Sequence, residues 1–133
     1  KVLHAGVAVV KVIGGSNLLA ADLNGFSDPY VVLEAGKAKT KTKVVKRSLN
    51  PQWDEVLQLN IADPTHPIQV RVMDWDRVGS DDFLGGAEIS LSDMPPMEPR
   101  RLTLELSRMV KSKLKLKGSI SCEVLWNPIN EVF

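Results

Sequence analysis

The sequence predicts an all-β fold, an antiparallel sandwich of eight short strands. Segments rich in β-branched residues recur about every ten residues, as in β-sandwiches, and apolar side chains alternate along several of them. No stretch shows helical periodicity of useful length. A chain of 133 residues is long enough to bury a core without disulfides or zinc, so we expect residues 1–133 to form one domain.

The first half of the chain contains four predicted strands, at residues 7–13, 30–34, 37–43 and 53–59. The first strand is expected to stop at a Gly14-Gly15 turn. Pro29 has no N–H to donate and therefore suits the first position of the second strand. A turn at residues 49–52 precedes the fourth strand.

The second half contains four more predicted strands, at residues 68–73, 83–89, 102–106 and 118–126, with a basic loop at 108–117 between the last two. Cys122 alternates with apolar residues in the last strand, which indicates a small core residue rather than a reactive thiol. As the single cysteine, it allows no internal disulfide. This fits a reducing compartment, and we expect a cytoplasmic protein.

The charges are segregated along the chain, although their sum is only +1. Basic residues crowd into 37–47 and 108–117, and the densest acidic group lies at 74–82, so we expect two different charged partners. No apolar run approaches the roughly 20 residues needed to cross a bilayer, so any membrane contact is expected at the surface. The first residue is lysine rather than methionine, which suggests a piece of a larger multidomain protein.

Lysines occupy every second position from Lys37 to Lys43. In a strand, all four ammonium groups stand on one face, and that face must be solvated. One interpretation is an edge strand that uses lysine to block unwanted pairing. The other is a binding surface for anions, which we favour because four lysines in register exceed what blocking requires.

Four aspartates, Asp74, Asp76, Asp81 and Asp82, fall within nine residues of a loop between two predicted strands. A second acidic loop, residues 16–28, also follows an odd-numbered strand, so both loops emerge at the same edge of an up-and-down array. Carboxylates held this close repel one another unless a hard, oxygen-preferring cation lies between them. The alternative is an ordinary solvated turn.

Five segments together resemble a C2 domain, the calcium-dependent lipid-binding module. They are LLAAD at 18–22, SDPYV at 27–31, LNPQWDE at 49–55, DWDR at 74–77 and DFLG at 82–85. The resemblance covers nearly the whole chain and implies an eight-stranded antiparallel Greek-key β-sandwich. The last run, at 118–124, has no equivalent ahead of Val7, which resembles the permuted (type II) topology of phospholipase-C-type and extended-synaptotagmin C2 domains.

The resemblance implies a calcium site. The five carboxylate ligand positions of the family are Asp22, Asp28, Asp74, Asp76 and Asp82, and the backbone carbonyls of Leu23 and Trp75 supply further oxygens. Such a set suits about two Ca²⁺ ions and leaves positions open for a lipid phosphate. Gly79 stands where the family often has serine or threonine, which argues against a third metal position.

Two further sets of residues match lipid contacts of the family. Leu23, Phe26 and Val78 match membrane-inserting loop tips, although Phe26 is also able to fold back onto the core. Lys39, Lys41 and Lys43, with Tyr30 as a companion aromatic, match a basic strand that contacts anionic lipid. Val32 and Met73 replace a lysine and a tryptophan of that site, so we expect general anionic binding more than selection of one headgroup.

We therefore expect a non-enzymatic module that binds anionic phospholipid membranes, of phosphatidylserine or phosphoinositide type, in response to Ca²⁺. Its expected location is the cytoplasmic face of membranes, with no nucleic-acid partner. The alternative is a protein-interaction module in which metal binding is incidental. A hydrolase is disfavoured because no Gly-x-Ser-x-Gly is present and neither His4 nor His66 has an evident nucleophile nearby in sequence.

Overall fold

The computed structural model describes residues 5–129, and their regular secondary structure consists of eight strands. The strands are β1 (Gly6–Ser16), β2 (Pro29–Ala35), β3 (Ala38–Lys41), β4 (Gln52–Ile61), β5 (Ile68–Asp74), β6 (Asp82–Ile89), β7 (Arg100–Val110) and β8 (Lys113–Pro128). No helix that could span a membrane is found between residues 5 and 129. The all-β, eight-stranded prediction is confirmed.

The strands pair in the order β3-β2-β5-β6-β7-β8-β1-β4, and the pairs are antiparallel. Within the described residues, β6 and β7 share a single pair, Gly86 with Ser107, so the sheet divides there into two four-stranded halves. The strands at the far edges, β3 and β4, contact each other and close the sandwich. The return of β4 to lie beside β1 is typical of Greek-key connections. The permuted topology stays a prediction.

The core lies between the two halves and follows from the alternation of side chains along the strands. In β1, Ala8, Val10 and Val12 are buried, whereas Lys11 between them is exposed. In β8, Cys122 is buried in the same cluster, and burial raises the pKa of its thiol to about 11. Cys122 is therefore a core residue, as predicted. That residues 1–133 form one domain of a larger protein stays a prediction.

The predicted end of the first strand at Gly14-Gly15 was wrong. β1 continues to Ser16, with a change of register between Val12 and Gly14. A Cβ added at Gly14 would lie 2.8 Å from the carbonyl oxygen of Pro51, closer than real Cβ contacts. Glycine is used here for the close approach of β4 rather than for a turn.

The predicted basic loop at 108–117 was also wrong. β7 continues to Val110 and β8 begins at Lys113, so this segment is a hairpin that turns at Lys111 and Ser112, both with positive φ. The alternation of apolar and basic residues in this segment is the period of a strand. The third predicted strand was too long, since β3 covers Ala38–Lys41 alone.

Candidate functional site

The two acidic loops leave the sandwich at the same end, as the sequence predicted. We call residues 17–28 the first loop and residues 75–81 the second loop. Pro29, at the start of β2, pairs directly with Asp74, at the end of β5. The backbone N–H of Asp28 donates to Oδ1 of Asp74 (2.7 Å), and the N–H of Trp75 donates to the carbonyl of Asp28 (2.9 Å). These hydrogen bonds hold the end of the first loop, at Asp28, against the start of the second loop, at Asp74 and Trp75.

Three carboxylates converge where the loops meet. One carboxylate oxygen from each of Asp22, Asp28 and Asp74 lies within 4.8 Å of the other two, and we call these residues the aspartate cluster. Asp74 is only 1% exposed. The pKa of its carboxyl is raised to about 6: burial raises it most, the hydrogen bond from Asp28 opposes this, and the neighbouring Asp22 and Asp28 add to the rise.

This cluster has the composition of a site for a hard cation. Carboxylate oxygens are the ligands that Ca²⁺ prefers, and its coordination geometry tolerates irregular loops. Burial, and then the neighbouring carboxylates, hold the pKa of Asp74 above its ordinary value, and a divalent ion would stabilise the charged form against both. The donor set therefore fits Ca²⁺ on chemical grounds.

The other two predicted ligands lie at the rim of the second loop. Asp82 opens β6 and pairs with Asp74 across the β5–β6 ladder, and its side chain is exposed. Asp76 is also exposed, and its Oδ1 accepts a hydrogen bond from the N–H of Val78 (3.0 Å). Neither belongs to the close group of carboxylates found among the described residues. The structure thus gathers three of the five aspartates, and their role as ligands stays a prediction, as does that of the Leu23 and Trp75 carbonyls.

The connection between β3 and β4 supports the first loop, a role that sequence reasoning missed. The N–H of Arg47 donates to Oδ1 of Asp28 (2.7 Å), with Arg47 itself in a left-handed conformation. The N–H of Ser48 donates to the carbonyl of Ser27 (3.0 Å), and that of Leu18 to the carbonyl of Leu49 (2.9 Å). Asp28 is therefore oriented by a segment 19 residues away, so no local sequence signal revealed it.

Ser27 is a second residue that the sequence analysis did not single out for a role. Its side chain is fully buried; Oγ accepts from the N–H of Ala21 (3.0 Å) and donates to the carbonyl of Leu19 (2.7 Å). These two bonds fold the first loop back on itself just before Asp28. A serine directly preceding a proposed ligand was the available signal.

Asp81 holds the second loop in place through hydrogen bonds. It is the one aspartate of residues 74–82 without a predicted role. It accepts hydrogen bonds from the hydroxyl of Tyr30 and from the N–H of Asp76 (2.9 Å). These bonds, that of Tyr30 foremost, hold the pKa of the Asp81 carboxyl below its ordinary value. Burial, and then Asp81, raise the pKa of Tyr30 to about 12, so its hydroxyl stays a donor at neutral pH.

The predicted loop tips differ in exposure. Leu23 is fully exposed at the turn of the first loop, and Val78 is 79% exposed in the second. Phe26 is 41% exposed, so part of its ring is covered and part faces solvent. All three lie on the two loops that carry the aspartates, and membrane insertion stays a prediction.

Of the predicted basic residues, Lys41 lies nearest the second loop, beside Tyr30. Lys39, Lys41 and Lys43 are exposed, and Lys41 pairs with Val32 across the β2–β3 ladder. Nζ of Lys41 is 5.8 Å from the ring centroid of Tyr30, so Tyr30 contacts both the basic strand and Asp81. Nζ of Lys46 lies 5.6 Å from the ring centroid of Trp75, which brings a further cation to the same end.

His66 does not contribute to this end of the molecule. His66 is exposed in the connection from β4 to β5, at the opposite end, where its Nδ1 is 3.6 Å from Oδ2 of Asp63. His4 lies outside the described residues.

Comparison with known proteins agrees with the fold. The family model for the C2 domain matches residues 6–106. Synaptotagmin-2 of Arabidopsis thaliana is 39% identical over 95% of this chain, and the match spans 25% of that protein. Protein C2-DOMAIN ABA-RELATED 3 of the same plant is 46% identical over 74% of this chain, and the match spans 57% of that protein.

Solved structures give the same result. A single C2 domain of plant Extended Synaptotagmin 1 superposes with a TM-score of 0.85 at 31% identity, covering 97% of this chain and 99% of that one. The calcium-bound tandem C2 domains of Extended-Synaptotagmin 2 superpose with a TM-score of 0.76 at 26% identity, covering 95% of this chain and 47% of that one.

Proposed function

Since this chain belongs to the C2 domain family, a family of binding modules, we propose that it binds anionic phospholipid membranes in response to Ca²⁺. The observation that carries this proposal is the aspartate cluster. Three carboxylates lie within 4.8 Å of one another, and one of them is buried with a pKa of about 6. Such a group is under electrostatic strain that a divalent cation relieves.

The proposed ligands are Asp22, Asp28, Asp74, Asp76 and Asp82, with the carbonyls of Leu23 and Trp75, for about two Ca²⁺ ions. A solved structure of a relative with calcium bound supports Ca²⁺ as the ion. Asp22, Asp28 and Asp74 form the inner part of the site, and the exposed Asp76 and Asp82 complete it on the solvent side. Bound Ca²⁺ would supply unsaturated coordination positions that accept lipid phosphate.

The residues around the cluster suit a membrane surface. Leu23, Phe26 and Val78 present apolar surface at the tips of the loops, and each buried side chain contributes on the order of 1 to 2 kcal/mol. Lys39, Lys41 and Lys43 add attraction to an anionic leaflet of roughly 1 kcal/mol each. Without metal, the carboxylates repel that leaflet, so Ca²⁺ acts as an electrostatic switch.

We propose that the module lies at the cytoplasmic face of membranes. The free thiol of the buried Cys122 supports this location, because free thiols are typical of reducing compartments. Phosphatidylserine and phosphoinositides are the proposed lipid classes. They share the phosphate that the calcium site would accept and the negative charge that the lysines attract.

Sedimentation with vesicles that contain phosphatidylserine, with Ca²⁺ or with chelator, tests the proposal. Asp74→Asn combined with Asp76→Asn is expected to abolish the calcium-dependent fraction. The matched control is Asp93→Asn with Glu98→Gln, which removes the same charge from the connection between β6 and β7 at the opposite end. Undiminished binding of the first variant would contradict the proposal. Calcium binding by calorimetry without any lipid binding would favour the protein-interaction alternative.

A further inference from the structure

The hairpin formed by residues 107–117 has two chemically different faces. Across the β7–β8 ladder, Ser107 pairs with Leu116, Arg108 with Lys115, Met109 with Leu114, and Val110 with Lys113. Residues directly opposite each other lie on the same face, and successive pairs alternate between the faces. One face therefore carries Met109, Leu114 and Leu116 beside Ser107, and the other carries Arg108, Lys113 and Lys115 beside Val110.

The apolar face is open to solvent. Met109 and Leu114 are each 63% exposed and Leu116 is 58% exposed. Large apolar side chains that are exposed singly need no explanation, but three adjacent ones form a patch, and such patches mark interaction sites. Solubility alone would account for the lysines of the hairpin, but it does not account for these three exposed apolar side chains.

A bulge at the base of the hairpin turns the leucines outward. Between the pairs Glu105–Ser119 and Ser107–Leu116, β7 advances two residues while β8 advances three. Because one extra residue reverses the side to which a strand points, Leu114 and Leu116 leave the face that Ile120 and Cys122 direct into the core. Gly118, with φ +81, lies in this bulge.

The hairpin projects from the end of the sandwich that bears the aspartate cluster. The last residue of β1, Ser16, pairs with Ser119, so residues 107–117 extend past the point where the first loop begins. Nζ of Lys117 donates to Oδ1 of Asn17 (3.0 Å), and a Cβ added at Gly118 would lie 2.8 Å from the carbonyl oxygen of Asn17. The hairpin base is therefore packed against the first loop.

We propose that this hairpin is an additional membrane-docking element, whose apolar face enters the interface of an anionic bilayer while its cations contact the headgroups. The inference rests on the proposed function, since it takes the loop tips as the neighbouring membrane contact. An anionic lipid surface matches both faces at once: it offers negative charge to Arg108, Lys113 and Lys115, and an apolar layer to Met109, Leu114 and Leu116. The hairpin also extends from the same end of the sandwich as the loops that carry the exposed Leu23 and Val78.

Fluorescent labelling at single cysteines tests the proposal. Leu114→Cys reports on the hairpin, Leu23→Cys on the first loop, and Met97→Cys serves as the control. Met97 is 68% exposed, like the residues of the apolar face, but lies at the opposite end after β6. Cys122 is buried, so the unmodified chain gives the labelling blank. An environment-sensitive dye is attached, and vesicles of phosphatidylcholine with phosphatidylserine are added with Ca²⁺.

The hairpin would be supported as a membrane contact if the dye emission shifted to the blue at both Leu114→Cys and Leu23→Cys but not at Met97→Cys. Spin-labelled lipid should then quench the dye fluorescence at the two shifted sites. A shift at Leu23→Cys alone would overturn the inference and leave the proposed function intact. A shift at Leu114→Cys alone would support the hairpin contact and contradict calcium-loop docking. No shift at either site would overturn both.

A charge variant provides a second test without a dye. Lys113→Gln with Lys115→Gln is expected to weaken vesicle binding at low salt by on the order of tenfold. Arg100→Gln with Arg101→Gln removes the same charge from exposed positions at the other end of β7 and is expected to have less effect. Equal binding by the two double variants would overturn the proposal and leave the patch to a protein partner.

Discussion

The carboxylate of Asp74 accepts a hydrogen bond of 2.7 Å from the backbone N–H of Asp28, a residue 46 positions earlier in the chain. This bond joins the roots of the two acidic loops and faces the Asp74 carboxylate toward Asp22 and Asp28. It lowers the pKa of Asp74, but burial and the neighbouring charges raise it more, to about 6. The fold thus holds a carboxylate where its charged form is disfavoured without a cation.

Asp74→Asn is predicted to separate metal binding from stability. The amide keeps an oxygen that accepts the bond from Asp28 and removes the buried charge. In chelator at neutral pH, we expect the free energy of unfolding to rise by on the order of 1 to 2 kcal/mol. Calcium affinity, measured by calorimetry, should fall by about tenfold or more because a charged ligand is lost. A variant that is less stable in chelator would contradict this account, and Asp93→Asn is the control.

The metal-free domain is predicted to become less stable as pH rises from about 4 to just above 6. The pKa of Asp74 in the folded state, about 6, lies above its ordinary value of 3.8. Its contribution to stability is therefore fully present below pH 3.8 and is lost as pH rises through 6. Urea unfolding in chelator across this range measures the effect, and Asp74→Asn should flatten it. Calcium affinity should show the opposite trend, rising as the proton leaves Asp74.

Ser27→Ala is predicted to loosen the first loop. The substitution leaves the N–H of Ala21 and the carbonyl of Leu19 without the partner they share, at a cost of about 1 to 3 kcal/mol. We expect faster hydrogen exchange at Ala21 and weaker calcium binding. Ser80→Ala, at an exposed position of the second loop, should change neither quantity. Unchanged exchange at Ala21 in Ser27→Ala would remove the proposed role of the hydroxyl.

Tyr30→Phe is predicted to raise the pKa of Asp81, because the hydroxyl that donates to its carboxylate is removed. Carboxyl NMR titration measures this change. The ring beside Lys41 is kept, so binding to anionic vesicles through the basic strand should persist, while the second loop becomes more mobile. If vesicle binding without Ca²⁺ fell as well, the hydroxyl of Tyr30 would be a lipid contact rather than a group that only holds the second loop in place.

Replacing Lys39, Lys41 and Lys43 with alanine is predicted to weaken binding to anionic vesicles more at low salt than at high salt. Exposed charges act through solvent, where salt screens them. Each lysine is worth roughly 1 kcal/mol near an anionic surface. Sedimentation at several salt concentrations measures the difference. An equal loss at every concentration would argue against an electrostatic role.

Much of the fold was predictable because its signals are local. The run of β-branched residues at 7–13 and the alternation of Ile120, Cys122 and Val124 with polar residues are strand signals that need no tertiary contact, and they correctly indicated an all-β sandwich. The order of the strands also predicted that both acidic loops share one end. Prediction failed where a local signal is compatible with two structures. Gly14 suggested a turn, but it permits the close approach of a neighbouring segment. The charge of residues 108–117 suggested a loop, but these residues form a hairpin.

The sequence by itself determined the features that depend only on residue type and spacing. These are the aspartates of the two loops, the lysines of the basic strand and the apolar alternation of the core strands. Tertiary structure alone decided which of the five predicted ligands converge, namely Asp22, Asp28 and Asp74. It also decided that Asp81 binds Tyr30 from 51 positions away, and that a bulge at Gly118 exposes Leu114 and Leu116. The physical reason is that loop and bulge geometry depends on hydrogen bonds between segments far apart in the chain, whereas alternation depends only on neighbours.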